Sequence, residues 1–151
     1  MSHRNWRVGL WLCAAILASA EFSRAEKQLA SEAVLQKTGM FALGGIGVAG
    51  TMSEGERALR EILKEPDATA RLAKLLSNGS PAGKLYALLG LRIRDRAASE
   101  RALEKCRALD AKIETARGCI LSQESFRDLL KEIERGQYDN FLTREWPENA
   151  R

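Results

Sequence analysis

The sequence predicts an all-α domain: short helix pairs packed as a small bundle or α-solenoid, with one irregular or β-hairpin segment near residues 110–121. Three observations lead there. Residues 80–93, SPAGKLYALLGLRI, are the longest strongly apolar run outside the N-terminus, and Leu85, Leu88, Leu89 and Ile93 recur in it at helical spacing. Shorter helical patterns flank it, separated by Pro, Gly, Ser and Asp signals that stop one helix and cap the next. Residues 110–121, DAKIETARGCIL, lack a helical period and gather the β-formers Ile113, Thr115, Cys119 and Ile120 around Gly118.

The N-terminus reads as an export signal. His3, Arg4 and Arg7 precede a short apolar run at 8–20, and Ala18-Ser19-Ala20 is an A-x-A cleavage site. Ser23-Arg24-Ala25 offers a second site, so the signal spans 1–20 or, alternatively, 1–25. The run is short for a membrane span, and an uncleaved anchor is the alternative. Leu12 before Cys13 argues against a lipid anchor there. The chain carries 24 Lys+Arg against 20 Asp+Glu; cleavage after Ala20 removes Arg4 and Arg7 and leaves 22 against 20. So weak a positive balance does not point to nucleic acid. Cleavage also removes Cys13 and the only histidine, His3. The remaining pair, Cys106 and Cys119, is expected to form a disulfide in a periplasmic or extracellular compartment.

A single helical domain is expected over 26–146, followed by a loose tail at 147–151. Leu29, Ala30, Ala33 and Val34 predict a helix over 26–36. Residues 40–52, MFALGGIGVAGTM, contain Gly45-x-Gly47-x-x-Gly50, which formally matches a dinucleotide fingerprint. No second strand with a terminal acid is visible, so a close-packed helix or loop is expected instead. Ser53-Glu54-Gly55-Glu56 is a capping box for a helix over 54–64. Asp67 should cap a helix over 68–77, Ser80 with Pro81 the central one, and Asp95 a helix over 96–109. Ser122 should cap the last helix, over 123–135, with Phe126, Leu129, Leu130 and Ile133 inward.

Chemistry has little foothold. Without histidine, Ser-His-Asp and Cys-His catalysis and histidine-based metal sites are excluded from the mature chain. No Cys-x-x-Cys pair is present, and no cofactor or metal is expected. A carboxylate-dependent hydrolase is an alternative, although most acids lie beside Lys or Arg or at caps. The candidate binding surface is Lys84, Tyr86, Arg92, Arg94 and Arg96. Lys84 is expected to point outward with its stem along the core edge, and the Tyr86 hydroxyl to reach the surface. The arginines sit where cations complement a helix C-terminus.

The four short helices over 53–109, with their turns at Glu65-Pro66-Asp67, Ser80-Pro81 and Asp95, resemble HEAT-type helical repeats. That resemblance implies a scaffold that binds other proteins, with the flanking helices as caps. The expected function is therefore an exported binding or scaffold module for another protein or an envelope component. A carboxylate hydrolase, and a membrane-associated protein held by an uncleaved N-terminus or by residues 40–52, are the alternatives.

Overall fold

The computed structural model describes residues 26–143. The expected signal at 1–20 or 1–25 and the tail at 147–151 lie outside the described residues. The chain divides into two compact units, 1–30 and 31–151. Of the first, residues 26–30 are described and are helical; α1 spans 26–37.

The fold is mixed α/β, which corrects the all-α expectation. After α1 come β1 (Met40–Ile46) and β2 (Thr51–Met52). Four helices follow: α2 (Glu54–Leu63), α3 (Ala68–Asn78), α4 (Pro81–Arg94) and α5 (Arg96–Cys106). Then come β3 (Lys112–Gly118), β4 (Ile120–Ser125), α6 (Phe126–Glu134) and α7 (Asp139–Thr143). The sheet order is β2-β1-β3-β4, with β1 parallel to β3 and both outer pairs antiparallel.

The glycine-rich run at 40–52 is therefore neither helix nor loop. Its apolar half, Met40 to Leu43, is a central strand covered on both faces, and such strands read as continuous apolar runs. Its glycines make the turn into β2, where Gly47 and Gly50 take φ of 69° and 59°. A strand does precede the fingerprint, but the turn leads into β2 rather than directly into a helix. The α2 N-terminus beyond is acidic, with Glu54 and Glu56 in its first turn, and is unsuited to a pyrophosphate.

Residues 112–125 form a full hairpin, Arg117 opposite Ile120 and Lys112 opposite Ser125. The last long helix starts later than expected, because 122–125 belong to β4 and Ser125, not Ser122, accepts from the Asp128 amide. Helix α5 likewise stops at Cys106 rather than Leu109. Ser53, Ser80 and Asp95 cap α2, α4 and α5 with side-chain bonds of 3.1, 3.0 and 2.9 Å. Asp67 makes no such bond at α3.

Helix α4 is the centre of the core. Leu85, Tyr86, Leu88, Leu89 and Leu91 are all buried, and α2, α3, α5, α6, β1 and β3 contact it. Ile93, expected inward, is partly exposed near the helix end. At the other end, a Cβ on Gly83 would overlap the Leu35 carbonyl oxygen, so α1 and α4 meet backbone to backbone there.

Strand β2 is too short to cover β1, and side chains seal the remainder. The Tyr86 hydroxyl accepts from the Ala42 amide (2.8 Å) and donates to the Ala42 carbonyl (2.9 Å). Ser53 Oγ donates to the same carbonyl (2.7 Å). The Glu56 carboxylate, fully buried, accepts from the Gly44 amide at 2.7 Å and pairs with Arg60 at 2.8 Å. Glu56 thus serves the strand instead of reaching back to the Ser53 amide. Tyr86, expected at the surface, is a buried strand-sealing residue, because a strand edge inside a protein must have its backbone groups paired.

Candidate functional site

Helices α3 and α5 flank α4 and leave a groove of about 860 Å³ between them, to which α4 contributes Lys84 and Leu91. Its apolar lining comes from Leu76 on α3, Leu91 on α4, and Ala98 and Ala102 on α5, with Leu109 at one end. The alanines follow from helix periodicity on α5: Ala98 and Ala102 sit four residues apart on one face. Short side chains on that face keep the groove open.

Cations edge this surface. Lys84 on α4 and Arg101 and Lys105 on α5 line the groove, with Glu104 the one acid among its lining residues. Glu104 is paired with Arg107 at 3.2 Å. The side-chain charges of Lys84, Arg101 and Lys105 have no ion-pair or hydrogen-bond partner among the described residues. Arg101 and Lys105 stand four residues apart, a like-charge spacing that destabilises a helix unless an anion meets it. Cys106 also faces the groove. Burial pushes its thiol above the ordinary value, and the Lys84 charge offsets part of that rise.

The structure disperses the rest of the expected surface. Lys84 alone reaches the groove; Tyr86 is on the strand side of the same helix. Arg92 donates to Asp139 at 2.8 Å and to the Glu134 carbonyl at 3.2 Å. Arg94 donates to the Glu65 carbonyl and Arg96 to Glu100. Each of the three arginines is thus tied to a different neighbour.

The expected Cys106–Cys119 bridge is absent. Both thiols are free, Cys106 buried and Cys119 exposed in the β3–β4 turn.

A second cluster, unforeseen in the sequence, joins the hairpin to the last helices. Arg117 donates to Glu132 at 3.0 Å, to the Tyr138 hydroxyl at 3.3 Å and to Glu124 at 3.4 Å. Tyr138 in turn donates to Glu132. Burial, then the Glu132 carboxylate, holds the Tyr138 phenol far above its ordinary range. A cavity of about 120 Å³ adjoins it, lined in part by Phe41, Thr115 and Phe141. Both carboxylates here are bonded to the single Arg117 guanidinium, so the cluster reads as a brace between β3, β4, α6 and α7. Only the i,i+6 spacing of Glu132 and Tyr138 is local; the Arg117 contacts depend on the hairpin.

Among the described residues, no group of three His, Cys, Asp or Glu side chains is placed to hold a metal ion. None of their helices is long and apolar enough to cross a membrane. Comparison of the chain with family models, curated proteins and solved structures finds no match.

Proposed function

We propose that the protein is an exported binding module whose α3–α4–α5 groove receives an acidic amphipathic helix of another protein. The observation that carries this is the pairing of an apolar floor with three cations, Lys84, Arg101 and Lys105, that no acid of the described chain neutralises. An amphipathic helix lays its apolar stripe into such a groove, and flanking carboxylates would meet the cations on its walls. The alanines of α5 let a helix backbone approach closely. Work after export accords with the N-terminal apolar run and its Ala18-Ser19-Ala20 site.

The test uses a synthetic helix of about 15 residues, roughly 22 Å long. It carries leucines at i, i+3, i+4 and i+7 and glutamates on both flanks. Its binding to the full chain is followed by fluorescence anisotropy at low and high salt. Binding should weaken with salt. The combined Lys84→Glu, Arg101→Glu and Lys105→Glu variant should bind at least tenfold more weakly, about 1.4 kcal/mol, with an unchanged far-ultraviolet spectrum. Equal affinity for a lysine-flanked version of the peptide would overturn the reading.

A further inference from the structure

The two edges of the sheet are built differently. On the β1 side, Tyr86, Ser53 and Glu56 occupy the backbone groups that β2 is too short to reach. On the other side lies β4, six residues long and fully paired with β3, and no further strand of the described residues pairs with its outer edge. Arg117 and Ile120 face each other across the two-residue turn Gly118-Cys119, a closure in which the facing pair exchanges both hydrogen bonds. Alternation then directs the N–H and C=O of Ile120, Ser122 and Glu124 toward β3 and those of Leu121 and Gln123 toward the open side. Among the described residues, no hydrogen bond reaches those outward groups.

Natural edge strands are blunted by lysine, proline, a bulge or extreme shortness. Strand β4, ILSQES, has no lysine, proline or bulge and is six residues long; its one charge, the inward-drawn Glu124, guards only the end next to α6. The strand instead exposes Ile120 (71%) and Leu121 (72%), one toward each face of the sheet. We propose that β4 is a homodimer edge: a second copy of this chain pairs its own β4 antiparallel to it, making one continuous sheet across a two-fold axis.

The charge pattern favours a copy over a foreign strand. Ile120, Leu121, Ser122 and Gln123 are uncharged, so two copies meet without like charges in opposition. The strand's one acid, Glu124, is drawn inward by Thr115 Oγ1 at 2.9 Å and by Arg117 at 3.4 Å. An antiparallel pair of identical edges is also self-complementary and closes, so it ends at two copies.

The experiment combines sedimentation velocity with amide hydrogen exchange on the full chain over a concentration series. A dimer is expected, with the Leu121 and Gln123 amides slowing as the dimer fills. Gln123→Pro removes only an outward N–H, a position where an edge strand tolerates proline. It should raise the dissociation constant at least tenfold and leave the urea midpoint near that of the parent. Leu121→Lys should do the same without touching the backbone. Three results would overturn the proposal: a monomer throughout, a dimer in which both amides exchange as fast as in the monomer, or slowing that appears only when another protein is added.

Discussion

Replacing Tyr86 by Phe removes one oxygen and leaves the ring, which packs on Phe41 with centroids 4.8 Å apart. The Ala42 carbonyl keeps its 2.7 Å bond from Ser53 Oγ. The Ala42 amide loses the hydroxyl that accepts from it at 2.8 Å, in a strand covered on both faces. Leaving a buried donor unpaired costs about 1–3 kcal/mol, so a loss of about 2 kcal/mol is expected. With a urea slope of about 1–3 kcal/mol per molar, the midpoint should fall by about 1 M. Equilibrium urea unfolding followed by far-ultraviolet circular dichroism measures it. The pH dependence gives a second reading. Burial, with a smaller push from the Glu56 charge, holds the Tyr86 phenol above its ordinary value, despite the opposing bonds from Ala42 and Ser53. The folded protein therefore keeps this proton where the unfolded chain, with a phenol near 10, loses it. Stability present below about pH 10 is lost as the pH rises further, and Tyr86→Phe should flatten that alkaline slope. A loss under about 0.5 kcal/mol, within the range of an ordinary surface change, would refute the claim that Tyr86 seals β1.

Leu88→Ala, at a fully buried position, should cost about 2–5 kcal/mol, while Lys84→Ala on the groove side should stay within about 0.5 kcal/mol; chemical denaturation ranks them. Gly83→Ala should destabilise by about 1–3 kcal/mol in the same assay, because the new methyl meets the rigid Leu35 carbonyl rather than a side chain that can swing away. In the folded protein, a thiol reagent should modify exposed Cys119 quickly and buried Cys106 slowly, whereas a Cys106–Cys119 crosslink in a non-reduced digest would contradict this placement of the hairpin.

The helices were legible because the signals that make them are local. Ser53, Ser80 and Asp95 each bond an amide three residues away, and the apolar stripes of α2 to α5 repeat within a turn of their own chain. In the same way, Leu85, Leu88 and Leu89 identified α4 as the core helix, and its position at the centre followed from an apolar surface too wide for one neighbour. Lys84 was recognisable as a groove residue only as a cation within the apolar run of α4.

The sheet depended on partners far apart in the chain. Met40 pairs with Glu114 across all four central helices, and a short apolar run with glycines carries no local mark that separates strand from helix. Ser122 and Ser125 are equally good caps by themselves; pairing of Ser122 with Thr115 assigns the first to β4 and leaves the second to α6. The two helix faces of Tyr86 and Lys84 diverge for the same reason. Ala42, 44 residues away, needs a partner in the dry interior and takes the phenol, while no acid of the described chain pairs with Lys84. Propensity and capping act over three or four residues and can be read along the chain. Backbone pairing and burial act between segments that meet only when the chain has folded, and they decided the strands, the sealed and open sheet edges, and the groove.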